Sequence, residues 1–165
     1  MVKRTSAAIA LCAALMAGLS ACGGTPGEDG TGTAPTTPEP AVIDERQANF
    51  KAVGKAFKAI RTQLEGTPDA GVILMAAKDL NAAALKVEGY FPAGTSVDDG
   101  YDTEALATIW EKPEEFEKAH QRLVDASAQM VTLAKAGDLA AIGDQVGVVG
   151  GSCKNCHDNF RLDTD

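Results

Sequence analysis

The chain has 165 residues, of which 45% are hydrophobic, and a net charge of −8 at pH 7. This length is sufficient for one domain with its own hydrophobic core. A surface this acidic repels phosphate groups, so the composition argues against nucleic acid as a partner and against binding to anionic lipids through charge.

The N-terminal residues have the pattern of a secretory signal peptide. Two basic residues precede a mostly apolar run over residues 7–19, and this run is shorter than the ~20 residues that cross a bilayer. Leu-Ser-Ala-Cys at residues 19–22 resembles the lipobox of bacterial lipoproteins, which implies that residues 1–21 are removed and that Cys22 is lipidated. Ordinary cleavage nearby and an uncleaved span are the alternatives.

Export of the mature protein follows from this interpretation. Loss of Lys3 and Arg4 makes the net charge −10, so membrane association is expected through the lipid anchor alone. We expect a periplasmic location, and Gly23 after the lipidated cysteine favours the outer membrane by analogy with lipoprotein sorting. Of the four cysteines, Cys153 and Cys156 then belong to the folded domain.

The mature chain divides into a tether and a helical domain. Residues 22–41 are rich in Gly, Thr and Pro and have almost no apolar side chains to bury, which is typical of a flexible segment. From residue 42 onward the apolar residues recur at intervals of three and four, as in helices packed in a bundle. Thr67 is the expected N-cap of the second helix, Pro113 is expected to begin the third, and Gly137 to end it.

Four such helical segments predict an all-α fold for residues 42–165. The breaks at Gly66 and Gly137 leave connections too short for anything but antiparallel neighbours, and Asp138 is the expected N-cap of the fourth helix. The segment 88–112 between the second and third helices is longer than most connections, and such loops usually serve a site. We predict an up-and-down antiparallel four-helix bundle whose long loop places four side chains against a bound group: Tyr90, Phe91, Pro92 and Trp110.

The fourth helix carries the sequence Cys-Lys-Asn-Cys-His at residues 153–157. In this motif the two thiols add across the vinyl groups of a haem, and the histidine gives a neutral imidazole nitrogen to the iron. Residues three and four apart share a helix face, so one turn can present Cys153, Cys156 and His157 to the same ring. We predict one covalently bound haem c.

Three other interpretations of the motif explain it less well. A structural zinc site needs four ligands and would have to recruit His120. A redox pair of the thioredoxin type needs a βαβ context, which the helical pattern lacks. A plain disulfide between Cys153 and Cys156 leaves His157 without a role.

One charged residue, Arg46, interrupts the apolar face of the first helix. Its guanidinium must reach solvent at the end of the bundle or meet an anion that accepts its fork of donors. A haem propionate is an anion of this kind.

Four motifs together resemble the class II cytochromes c, specifically cytochrome c prime, over about residues 42–162. They are Arg-Gln-Ala-Asn-Phe-Lys at 46–51, Tyr-Phe-Pro-Ala-Gly-Thr at 90–95, Ile-Trp at 109–110, and the Cys-Lys-Asn-Cys-His segment followed by Arg161. Dimers are common in this family, so a homodimer is expected as well. The resemblance also implies a role for each matching residue: haem attachment by Cys153 and Cys156, proximal ligation by His157, propionate contacts by Arg46 and Gln47, and a place beside the proximal face for Arg161.

The distal side of the haem decides between two functions. Low-spin members of the class place a methionine on the first helix, one turn after the arginine, and this chain has Phe50 there. Phenylalanine cannot ligate iron, Met75 and Met130 are expected in the core, and His120 is expected to face solvent. We therefore expect five-coordinate high-spin iron with an apolar distal wall at Phe50.

These expectations define a protein that is not an enzyme, since no nucleophile and base accompany the ligand histidine. An apolar wall favours neutral diatomic gases, so the expected ligands are nitric oxide and carbon monoxide. Electron transfer with an unidentified redox partner is an expected second role. The alternative is a six-coordinate low-spin electron carrier that uses His120 or a methionine outside the first helix.

Overall fold

The computed structural model describes residues 40–164, and its long helices form one bundle. In chain order the helices are α1 (Ala41–Glu65), α2 (Ala70–Ala84), the short α3 (Thr108–Glu111), α4 (Pro113–Ala136) and α5 (Leu139–Phe160). The long loop before α4 also holds two 3-10 turns, Val87–Tyr90 and Val97–Asp99. The predicted all-α four-helix bundle with a long loop between its second and third long helices is confirmed.

The predicted signal peptide, residues 1–21, and the predicted lipidation site at Cys22 lie outside the described residues. So does the predicted tether up to residue 39. Among the helices of residues 40–164, none has both the length and the apolar composition that a membrane span requires.

The helix ends follow from local chemistry, with one departure from prediction. The Asp69 carboxylate accepts a 3.0 Å hydrogen bond from the Val72 amide, so Asp69 is the N-cap of α2. The prediction of Thr67 was wrong because a carboxylate two residues later reaches the free amides of the first turn and is a better cap than threonine. Asp138 caps α5 as predicted, through a 3.0 Å bond from the amide three residues on. Gly137 ends α4 as predicted, with a φ of 72° that favours glycine.

The long helices pack closely on three sides of the bundle. α1 packs on α2, α2 on α4, and α4 on α5, whereas α1 and α5 contact each other sparsely. The bundle therefore has an open side between α1 and α5. Each of the three close pairs also has a side-chain hydrogen bond across it: Asn49 to the Ala83 carbonyl (3.0 Å), Asn81 to the Ser127 hydroxyl (3.0 Å) and Gln145 to the Ala126 carbonyl (2.8 Å).

Two groups of apolar side chains stabilise this arrangement. The main core fills the bundle and contains fully buried aliphatic residues: Ile60, Ile73, Leu80, Met130, Ile142 and Val149. A second cluster joins the long loop to α4 and α5: Ala105, Ile109, Ala119 and Phe160, with Phe91, Trp110, Phe116 and Cys156 packed against it.

Two predictions of side-chain burial were wrong. Met75, expected in the core, is 62% exposed, because it lies two positions from the buried Ile73 and so on the other side of α2. His120, expected to face solvent, is buried, and its Nε2 donates a 2.9 Å hydrogen bond to the Ala84 carbonyl. That carbonyl lies at the end of α2, where the last carbonyls have no partner within the helix, so the histidine is held inside the bundle.

Met130 and Met75 provide a matched test of this packing. Met130→Ala should lower the free energy of unfolding by about 2–5 kcal/mol, because it leaves a cavity in the main core. Met75→Ala should change it by less than about 0.5 kcal/mol, because that side chain is mostly exposed. Urea unfolding followed by far-ultraviolet circular dichroism measures both values, and equal losses in the two variants would contradict the packing.

Candidate haem site

A cavity of about 690 Å³ lies where α1, the end of α5 and the long loop meet. Its volume is within the range of roughly 300–1,000 Å³ that is usual for ligand and cofactor sites. The open side of the bundle, between α1 and α5, is therefore the side that contains the cavity. Six of the seven predicted haem-site residues line it: Arg46, Gln47, Phe50, Cys156, His157 and Arg161.

The seventh predicted residue, Cys153, lies one turn before Cys156 on α5. It is half-buried and packs against the main core, whereas Cys156 packs against the second cluster. Both cysteines are free thiols. The cavity thus reaches the second cysteine of the motif, and the first lies one turn earlier on the same helix.

Burial keeps both thiols protonated. Burial raises the pKa of Cys153. Burial, and to a lesser extent the neighbouring Cys153 thiol, raises the pKa of Cys156 to about 11. Reactive redox cysteines have lowered pKa values. The two thiols therefore lack the character of a redox pair, which was one of the alternatives for the motif.

His157 is in a setting that favours its neutral form. Partial burial lowers its pKa, the Arg161 guanidinium lowers it further, and the carboxylates of Glu104 and Asp158 act in the opposite direction. A neutral imidazole is the form that binds a metal ion. At neutral pH, His157 can accordingly present a nitrogen lone pair to iron.

The residues of the zinc alternative do not come together. His120 is hydrogen-bonded to the Ala84 carbonyl at the end of α2. It does not line the cavity that His157 lines. Within residues 40–164, no group of three or more His, Cys, Asp or Glu side chains is arranged to hold a metal ion. A structural zinc site of Cys153, Cys156, His157 and His120 is therefore contradicted by the fold.

Arg46 is held at the cavity wall by the long loop. Its side chain is only 3% exposed. The guanidinium donates to the Thr95 hydroxyl (3.1 Å), the Thr95 carbonyl (2.9 Å) and the Thr103 hydroxyl (2.8 Å), and it lies 4.9 Å from the centre of the Phe91 ring. From the sequence, the Arg46 guanidinium was expected either to reach solvent or to meet an anion. The loop supplies a third solution, neutral oxygen acceptors and an aromatic ring.

Aromatic residues form an apolar wall beside these polar groups. Phe50 lines the cavity from α1, and its ring meets that of Phe91 edge to face, with 6.3 Å between centroids. Phe91 is one of the four loop residues predicted at the bound group, and its carbonyl accepts a 3.1 Å hydrogen bond from the Trp110 indole. Trp110, Tyr90 and Pro92 do not line the cavity, so Trp110 acts by supporting Phe91.

Sequence reasoning missed the loop segment 101–105, all of which lines the cavity. Gln47 donates a 2.8 Å hydrogen bond to the Asp102 carbonyl, and Arg161 pairs with Glu104 at 2.5 Å. The hydrogen bond from Arg161 lowers the pKa of the Glu104 carboxyl. The density of acidic residues between positions 98 and 104 is a sequence signal that could have drawn attention to this segment.

The residues present fit a c-type haem. One turn of α5 offers two thiols and a neutral imidazole, Phe50 and Phe91 offer an apolar wall for a flat ring, and Arg46 offers a cation for an acidic group. These are the side chains that covalent attachment, axial ligation and propionate binding require.

Comparison with known proteins agrees with this interpretation. The sequence model of the family described as Cytochrome C' matches residues 41–161. A cytochrome c' from Pararhodospirillum photometricum is 34% identical over 125 residues, which are 73% of this chain and 96% of the relative.

Solved structures give the same result. Cytochrome c prime from Shewanella frigidimarina has a TM-score of 0.70 and 32% identity, over 78% of this chain and 100% of that one. A nitric oxide complex of a mutant of cytochrome c prime from Alcaligenes xylosoxidans has a TM-score of 0.68 and 25% identity, over 74% of this chain and 94% of that one.

The family match extends from the first residue of α1 to the end of α5 and so contains the whole bundle and the cavity. Proteins of this family carry covalently bound haem c, which is the cofactor that the thiols and the imidazole of α5 fit. The chain belongs to the cytochrome c' family.

Proposed function

We propose that this protein is a periplasmic gas-binding cytochrome with five-coordinate high-spin iron, and that nitric oxide and carbon monoxide are its ligands. Cys153 and Cys156 attach the haem through thioether bonds, and His157 is the axial ligand. The bound haem supplies an iron atom with an open coordination position; the protein supplies attachment, one ligand and the surroundings of that position.

The composition of the cavity wall is the observation that carries this proposal. Among the described residues that line the cavity, His157 is the only histidine and none is a methionine. Met130 is buried in the main core, and Met75 lies on the surface of α2. The wall on α1 is Phe50, whose ring has no lone pair to give to iron. These residues supply His157 as the axial ligand, and we assign the opposite side to the apolar ring of Phe50.

An apolar distal wall determines which ligands suit the iron. Phe50 and Phe91 offer no hydrogen bond to an anionic or strongly polarised ligand, which disfavours activation of dioxygen and favours neutral diatomic gases. The nitric oxide complex of the Alcaligenes xylosoxidans relative supports this ligand class.

The cations near the cavity suit the acidic edge of a haem. Arg46 lines the cavity on α1 with Gln47 beside it, and hydrogen bonds to Thr95 and Thr103 restrict the guanidinium to one orientation. A guanidinium held in this way can bind a carboxylate without a further loss of side-chain entropy. We assign propionate contacts to Arg46 and Gln47, and a place beside the axial histidine to Arg161.

Loss of both motif cysteines should abolish covalent attachment. In the Cys153→Ala/Cys156→Ala variant, no thiol of the bundle remains to form a thioether bond, so haem should separate from the polypeptide under denaturing conditions. Haem staining after denaturing electrophoresis measures this. Each single variant should keep one thioether bond and still stain for haem. Haem staining of the double variant would contradict attachment through Cys153 and Cys156.

Phe50→Met tests the distal assignment. The wild-type protein should be high-spin in the ferrous state and bind carbon monoxide, whereas the variant should shift toward low spin and bind it at least about tenfold more weakly, because the thioether competes for the iron. Phe57→Met is the control, since Phe57 is on the same helix but packs with the main core. Absorption spectra and carbon monoxide titration measure both effects.

A low-spin wild-type spectrum that carbon monoxide leaves unchanged would favour the six-coordinate electron carrier instead. An unchanged spectrum in Phe50→Met would place Phe50 away from the iron. A low-spin Phe57→Met variant would show that any methionine on α1 can reach the iron, and would remove the special role of Phe50.

The lipid anchor predicted from the sequence has a direct test. Wild-type protein expressed in a Gram-negative host should be recovered with the outer-membrane fraction, and Cys22→Ala should be recovered in the soluble periplasmic fraction or keep its signal peptide. Fractionation with haem staining and mass spectrometry of the N-terminus measures location and lipidation. Equal membrane recovery of mature wild type and mature Cys22→Ala would contradict lipidation at Cys22.

A further inference from the structure

The loop segment 102–106 crosses the open side of the bundle and is bound to both helices that border it. On α1, Gln47 donates to the Asp102 carbonyl and Arg46 donates to the Thr103 hydroxyl, both at 2.8 Å. The segment therefore continues the cavity wall from α1 toward α5, across the gap that the helices themselves leave open.

On the α5 side the main chain holds the segment. The Leu162 amide donates to the Glu104 carbonyl at 2.8 Å, and the Leu106 amide donates to the Phe160 carbonyl at 3.1 Å. These bonds form a short antiparallel bridge between Ala105 and the residue that follows α5. The position of Glu104 beside the end of α5 is thus set by backbone pairing and does not depend on its side chain.

This placement brings the Glu104 carboxylate to the Arg161 guanidinium. Arg161 Nε and Glu104 Oε2 are 2.5 Å apart, and the two side chains are 45% and 47% exposed. Half-exposed ion pairs contribute little to folding stability because water screens them. The pair also lines the cavity together with His157, and the Arg161 amide donates a 3.1 Å hydrogen bond to the His157 carbonyl. The position of the Glu104–Arg161 pair therefore points to a role at the cavity and not in folding stability.

The two charges of the pair act on the same imidazole with opposite sign. The Arg161 guanidinium and the Glu104 carboxylate line the same cavity wall as His157, so one disfavours and the other favours positive charge there. The Asp158 carboxylate, on the residue after His157, is paired with the Lys154 ammonium at 2.7 Å. Glu104 and Arg161 thus bring one negative and one positive charge to the part of the cavity wall that His157 lines.

We propose that Glu104 is a positioning residue for the proximal side of the haem: it holds the Arg161 guanidinium beside His157 and compensates its charge, and the pair thereby sets the reduction potential. This inference rests on the proposed axial ligation by His157. Charges and hydrogen bonds around an axial ligand are among the means by which a protein tunes haem potential.

Replacement of each partner should move the potential in opposite directions. Glu104→Gln removes the negative charge of the pair, so the ferrous form, which has one positive charge fewer, should be favoured and the ferrous-to-ferric ratio at a given potential should rise roughly threefold or more. Arg161→Gln leaves the carboxylate uncompensated and should lower that ratio. The double variant removes both charges and should return close to the wild-type ratio.

Spectroelectrochemical titration of the haem-loaded proteins measures these ratios, with one electron taken up per haem from the electrode through a dissolved mediator. Asp98→Asn is the matched control, because Asp98 is an exposed acid of the same loop that does not line the cavity. It removes the same charge as Glu104→Gln and should leave the ratio near the wild-type value.

Three results would overturn the inference: an unshifted Glu104→Gln, an Asp98→Asn shift as large as that of Glu104→Gln, or a double variant that differs from wild type as much as either single variant. If Glu104→Gln does not fold, Glu104→Asp should give a smaller rise, because its carboxylate is one methylene shorter. A wild-type protein without covalent haem would defeat the proposed function, whereas loaded variants with unchanged potentials would defeat this inference alone.

Discussion

The burial of the Arg46 guanidinium is the interaction on which the cavity end of the molecule depends. A charged side chain on the inner face of a helix is costly unless several acceptors surround it. Here the acceptors come from Thr95 and Thr103, two residues of the long loop. The loop is thereby drawn onto α1, and the ring of Phe91 is brought over the guanidinium. One buried charge thus fixes the loop against α1, while the apolar cluster that includes Ile109 and Phe160 joins it to α4 and α5.

Three sides of the bundle stabilise the fold, and the fourth side forms the site. Close packing on three sides, with aliphatic side chains such as Ile60, Leu80 and Met130 at the centre, provides the hydrophobic stabilisation. The fourth side, between α1 and α5, is left to the loop and the cavity. A flat cofactor can enter there without separating helices that pack against each other. The sparse contact of α1 with α5 is therefore the condition for the site.

Helix periodicity and one local motif were enough to predict the bundle and most of the cavity wall, because both signals are contained in short stretches of chain. Cys156, His157 and Arg161 lie within six consecutive residues at the end of α5, and Phe50 follows Arg46 by one turn of α1. The errors at Thr67 and Met75 were choices between neighbouring positions of one helix. The other errors arose where the choice depended on a distant partner. The burial of His120 depends on a carbonyl at the end of α2, and Glu104 is placed by pairing with residues that follow α5. An irregular loop has no period from which such contacts can be inferred.

The two motif thiols belong to different parts of the interior. Cys153 packs against the main core, and Cys156 packs against the cluster under the loop. With the proposed attachment to both, one turn of α5 would hold a single flat ring against both groups of apolar side chains. Haem incorporation would then couple the local stability of the main core to that of the cluster under the loop, with the loop and its charged pair included.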